Sequence, residues 1–249
     1  MDRSRPQGRA PNDPTARNPI PMSSDTRQRP HVHEMVVIHR LFRREAVLLP
    51  RIVRAVPAGD RVAVERTADA TAEYIGGLHH HHAVEDELIW PLLAERAEAT
   101  TDLREQMEKQ HTAIDDSLTA VTAALTPWTA TCTASDGEVL AAALDAHRLC
   151  LVEHLDAEEE FALPQIADHL TVAEWDAVGD RGLERVPRDK LLLALGAILE
   201  DATAEEQAYF LSKAPLPGRI AWRLFGRRQY AARCRALRAP LHVSEAAAQ

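Results

Sequence analysis

Two stretches of this chain repeat one pattern in one order: His81-His82-Ala83-Val84-Glu85-Asp86-Glu87-Leu88-Ile89-Trp90-Pro91 and His154-Leu155-Asp156-Ala157-Glu158-Glu159-Glu160-Phe161-Ala162-Leu163-Pro164. Each sets a His four residues before a Glu, continues with further acid and an apolar pair, and reaches a Pro at the same offset. On a helix, positions i and i+4 stack on one face, so each stretch presents an imidazole beside a carboxylate. Such a couple is a metal-ligand pair, and two of them constrain the fold: helices must bring them together.

The spacing of the other histidines says how. If Pro57-Ala58-Gly59-Asp60 turns the chain between two antiparallel helices, residues equally far from it face one another, and His39 and His81 each lie 21 residues from Asp60. His111 and His154 flank a second break, from Pro127 to Gly137, whose centre near Cys132 is 21 residues after one and 22 before the other. A middle connection, Arg96 to Asp102, lies about midway between Glu85 and His111. The expected fold class is therefore all-α, an up-down-up-down four-helix bundle with His39, His81, His111 and His154 at one level, followed by a C-terminal helical extension.

The chain divides accordingly. Residues 1–29 mix Pro, Arg, Asn and Ser without apolar periodicity and read as a disordered leader. The bundle occupies 30–170. Its first helix carries Met35, Ile38, Phe42, Ala46 and Leu49 at three- and four-residue steps and should kink at Pro50. The second is expected from about Val62 to Glu95, the third from Thr101 to Leu125, and the fourth after a cap at Ser135 or Asp136. Thr171-Val172-Ala173-Glu174 is a capping box that opens an accessory extension over 171–241, and 242–249 is a tail.

Charge is sharply segregated along the chain. Of 249 residues, 31–212 carry 15 basic and 34 acidic groups, whereas 213–240 carry 8 basic groups and no acid. An acidic body suits cation uptake and disfavours a nucleic-acid partner. No apolar run is long enough to span a bilayer and no signal core is visible, so neither nucleic acid nor membrane is expected as a partner and the expected location is cytoplasmic. Three cysteines, Cys132, Cys150 and Cys234, lack metal-type spacing. The basic last helix, with Trp222, Phe225 and Tyr230, is expected to dock on the acidic body.

One His from each of four helices, with a Glu after two of them, resembles the hemerythrin-like (HHE cation-binding) family over roughly residues 31–170. That architecture is one of the general examples of metal-binding helical bundles. The resemblance implies a non-haem centre of two iron ions per chain, oxo- or hydroxo-bridged, with His39 and His81 on one iron, His111 and His154 on the other, and Glu85 and Glu158 bridging. It implies a small-molecule ligand: dioxygen, nitric oxide or peroxide, bound for sensing, storage or detoxification. Where well-known members have a second His on the third helix, this chain has Asp115, which joins the expected ligand set as a terminal ligand. Glu159 is an alternative to Glu158, and His82 is expected to support Glu85 from outside the ligand set. His147 lies two turns from His154 and reads as a channel or hydrogen-bonding residue. Two other readings stand beside this one: a metal-gated regulatory module acting through the basic C-terminal helix, and a structural zinc site.

Overall fold

The structure, a computed structural model, describes residues 29–97 and 101–247. The described residues are all-helical. Nearly the whole expected leader and the centre of the middle connection lie outside them. Four long helices dominate: α1 (His33–Ala55), α2 (Arg61–Leu88), α4 (Thr101–Thr131) and α5 (Ala134–Ala157). α5 packs along both α1 and α4, and α2 lies against α1 and α4.

The connections follow from local chemistry. Gly59 has φ 81°, a left-handed conformation that costs an L side chain energy, and the carboxylate of Asp60 caps α2 by accepting from the Ala63 N–H at 3.0 Å. At the second break α4 runs through Pro127 to Thr131, Cys132 takes φ 53°, and Thr133 caps α5, where Ser135 or Asp136 was expected. The Gly59 N–H donates to the Cys132 carbonyl at 2.9 Å, which ties the two turns to the same end of the molecule. Residues counted equally far from these turns therefore share a level.

The two repeat prolines interrupt their helices in the same place. Pro91 lacks an N–H, and the expected second helix divides at Ile89 into α2 and the short α3 (Trp90–Arg96). Pro164 follows a π turn over Glu158–Ala162, which leads into α6 (Leu163–His169). Pro50, by contrast, does not end α1, which continues to Ala55.

Of the three clusters of buried apolar side chains, two lie on either side of a polar layer. One holds Phe42, Leu78, Ile114 and Leu151; the other holds Met35, Val84, Met107 and Ala157. On the long helices His39, His81, His82, His111 and His154 each sit between a member of one cluster and a member of the other. Sequence distance from the turns and burial thus locate the same layer independently.

Beyond α6 come α7 (Val172–Glu184), α8 (Leu191–Leu199), α9 (Ala204–Lys213), α10 (Leu216–Ala221) and α11 (Arg227–Ala247), with a π turn at Trp222–Gly226. Both ends of the capping box form at Thr171 and Glu174. α11 runs on through residues expected as a tail. α7 packs against α2 and buries Trp175 and Val178 in the second cluster, whereas α8 and the π turn dock on the outer side of α1 through Val37, Leu199 and Trp222. A Cβ on Gly196 would lie 2.4 Å from the Tyr230 ring, so glycine there permits α8 and α11 to touch. Ion pairs complete the docking: Arg44 with Asp201 at 2.7 Å, Arg238 with Glu200 at 2.6 Å, and Arg233 with Glu73. No described helix is long and apolar enough to cross a membrane.

Candidate metal centre

The polar layer gathers seven side chains. His39, His82, Glu85, His111, His154 and Glu158 are buried, and His81 is nearly so. Ring centroids lie 5.4 Å apart for His39 and His81, 4.3 Å for His82 and His111, and 4.7 Å for His111 and His154. Their donor atoms fall into two groups, each with one atom per residue lying within 4.8 Å of the others: His39, His81, Glu85 and Glu158, and His82, Glu85, His111 and His154. Glu85 belongs to both.

The inward atoms are poorly satisfied by one another. His81 Nε2 stands 3.0 Å from Glu85 Oε1, His39 Nε2 3.2 Å from Glu158 Oε2, and His111 Nε2 3.5 Å from Glu85 Oε2. Ten buried nitrogen and oxygen atoms of these seven residues nevertheless lack an aligned hydrogen bond. An unsatisfied buried polar atom costs about 1–3 kcal/mol, and a domain has only about 5–15 kcal/mol of net stability. Coulomb attraction between rings and carboxylates offsets part of that cost. A cation at the centre of each group would satisfy the remainder, and imidazole nitrogen with carboxylate oxygen suits iron, zinc or manganese.

Outward hydrogen bonds set which nitrogen faces the centre. His39 Nδ1–H donates to Glu159 Oε1 at 2.8 Å, His111 Nδ1–H to Asp86 Oδ1 at 3.1 Å, and His154 Nδ1–H to Gln110 Oε1 at 3.4 Å. Each bond holds a ring proton outside, so that the neutral form of the ring turns its Nε2 lone pair inward, as a metal-ligating imidazole requires. Arg43 fixes Glu159 in turn at 2.5 Å.

Electrostatics of the metal-free layer follow from the same contacts. Burial alone depresses the His39 ring, but the charge of Glu158 and hydrogen bonds to both glutamates outweigh it and hold its pKa up to about 9. Burial opposes the charge on His111 too, and Asp86 with Glu85 prevails, raising it to about 10. Burial dominates at His154, which falls to about 4, and at His82, which is held well below the ordinary imidazole range. Burial would raise Glu85, yet the surrounding imidazoles keep it well below the usual carboxylate range. Protons occupy part of this layer when no cation does.

Six of the seven residues expected from sequence meet here: His39, His81, Glu85, His111, His154 and Glu158. Asp115 does not. It pairs with His79 at 3.0 Å, is 57% exposed, and belongs to neither group, because four residues beyond His111 the helix face has turned toward the surface. Glu159 holds His39 from outside the layer. The residue missed as a direct member is His82, three residues before Glu85, whose spacing also puts it on the carboxylate's face. His147 binds no part of the layer: Ser117 Oγ–H is committed to the Ile114 carbonyl at 2.6 Å, so His147 Nδ1–H donates to Ser117 at 2.8 Å and its Nε2 accepts from Tyr74 at 2.7 Å.

A surface pocket of about 350 Å³ is lined by Asp86, Trp90, Arg104, Glu108, His111 and Asp115, and so ends on one of the inward-facing rings.

Neither curated proteins nor solved structures give a significant match. The described geometry, buried imidazoles from four helices around two carboxylates of which Glu85 is common to both groups, is what a cation-binding domain requires, and one family profile accounts for it. The hemerythrin HHE cation binding domain matches residues 31–166, a span containing all seven layer residues, and the chain belongs to that family.

Proposed function

We propose that α1, α2, α4 and α5 act as an up-and-down four-helix bundle that holds two iron ions per chain and presents them to dioxygen, nitric oxide or peroxide, for sensing, storage or detoxification. One ion would be held by His39, His81, Glu85 and Glu158, the other by His82, His111, His154 and Glu85, the carboxylate common to both sets. Asp115 is outside this ligand set. The observation that carries the reading is the pair of four-donor groups sharing one buried carboxylate.

Four protein donors on each side leave positions for an exogenous ligand, as a reactive metal centre requires. When bound, iron supplies redox change and an attachment point for such a ligand. The chain's own residues do the rest. Asp86, Glu159 and Gln110 orient the rings, the two apolar clusters exclude bulk water, and the pocket at His111 admits a molecule of a few atoms.

Iron content measured with optical spectra under air, argon and nitric oxide tests the reading. Two irons per chain and a near-ultraviolet charge-transfer band that changes with nitric oxide are expected. A single tightly held colourless ion, unresponsive to any gas, would replace it with the structural zinc reading.

A further inference from the structure

The expected docking of the basic C-terminal segment on the acidic body accounts for only part of it. Lys213, Arg233 and Arg238 are used, through Glu34, Glu73 and Glu200. Upstream, α10 and the π turn bind the molecule through one inward row, Gly218, Trp222, Gly226 and Tyr230, spaced four residues apart. The rows beside it face outward. Leu216 is 61% exposed, Ile220 49%, Leu224 56% and Phe225 64%, four of the twelve large apolar side chains exposed on the described surface, all within ten residues.

An adjacent row carries charge. Arg219, Arg223 and Arg227 follow one another at four-residue steps, and Arg228 continues the row of Leu216, Ile220 and Leu224. Among the described residues, Arg223, Arg227 and Arg228 form no ion pair. No acid occurs between Glu206 and Glu245. A surface helix ordinarily buries its apolar row and exposes its polar one; here apolar and cationic rows are exposed side by side.

We propose that Leu216–Arg228 is a membrane-surface site that seats this protein on an anionic phospholipid bilayer, with the guanidinium groups at the headgroups and Leu216, Ile220, Leu224 and Phe225 in the acyl boundary. Both halves of the pattern select this partner. A nucleic-acid backbone or the acidic body of a second copy complements the arginines but gives the four apolar side chains nothing to bury against. A bilayer offers anionic groups directly above hydrocarbon, in the order in which the helix presents its rows. The site is peripheral and independent of the metal reading.

Flotation of the full metal-loaded chain with phosphatidylcholine vesicles, with and without phosphatidylserine, tests this. Binding is expected only with phosphatidylserine and should weaken with salt. The R223E/R227E/R228E variant should lose at least about a fivefold factor in partitioning per arginine replaced. The I220S/L224S/F225S variant should lose binding as well, and because all six side chains are exposed, both variants should keep wild-type helicity and metal content. Absence of binding to phosphatidylserine vesicles overturns the proposal, as does wild-type partitioning of either variant. Preferential binding of duplex DNA over vesicles, or a self-association that the arginine variant abolishes while vesicles bind nothing, overturns it in favour of the other partner.

Discussion

Replacing Glu85 with Gln probes the shared carboxylate most sharply. The substitution keeps the side chain's size and removes one negative charge from a fully buried position that belongs to both donor groups. A unit charge pair about 4 Å apart at an effective dielectric of about 20 is worth about 4 kcal/mol, and divalent cations experience more than this. The expected loss is at least about a thousandfold in affinity, and it falls on both ions together. Glu158→Gln should behave differently, because Glu158 joins only the group of His39 and His81. Metal content after equilibration with a competing chelator, read for both variants, is the assay. We expect Glu85→Gln to retain less than one ion per chain and Glu158→Gln to retain the ion held by His82, His111 and His154. Equal losses in the two variants, or two ions retained in Glu85→Gln, would refute a bridging role.

Further outcomes follow from the surroundings of the layer. Asp86→Asn and Glu159→Gln preserve an acceptor for His111 and His39 but lower ring basicity, so each should weaken metal binding about 10–100-fold, measured by competition titration; an unchanged affinity would mean that these carboxylates do not tune the rings. Asp115→Ala should leave metal content at the wild-type value, and a loss there would restore it as a ligand. Because His39 and His111 are protonated up to about 9 and 10 in the metal-free chain, cation binding near neutrality must displace both protons. Apparent affinity should then rise by about two decades per pH unit between pH 6.5 and 8.5, and a flat profile contradicts this. His147 is depressed by burial from 6.5 to about 4, so the unfolded chain takes up its proton first as the pH falls. The contribution is fully present above pH 6.5 and lost through pH 4, about 3 kcal/mol, and urea unfolding of metal-free wild type against His147→Gln at pH 7.5 and 4.5 should show the variant losing less stability.

Much of this was legible because helical periodicity and hairpin arithmetic are rigid. Twenty-one residues from Asp60 in each direction place His39 and His81 at one height whatever the packing details, and the Gly59–Cys132 hydrogen bond then joins the second hairpin to the same origin. What sequence distance leaves open is azimuth, the direction a side chain points around its helix. Both His81 and His82 lie within reach of Glu85, by four residues and by three, and the repeat with His154 favours His81 alone. Packing brings in both, because α2 faces α1 on one side and α4 on the other. Asp115 illustrates the converse: it is one turn from His111, yet it meets His79 at the surface. The second helix was expected to run unbroken to Glu95, although Pro91 gave a signal for the break at Ile89, and the matching Pro164 acts through a π turn that no local pattern announces.

Locating the cations tests the central claim most directly. Anomalous diffraction at the iron edge from crystals of the iron-loaded protein should show two peaks about 3.5–4 Å apart, the spacing usual for paired metals. One should lie against Nε2 of His39 and His81, the other against the rings of His82, His111 and His154, with Glu85 touching both. A single peak, or peaks at His79 and Asp115 on the surface, would contradict the account.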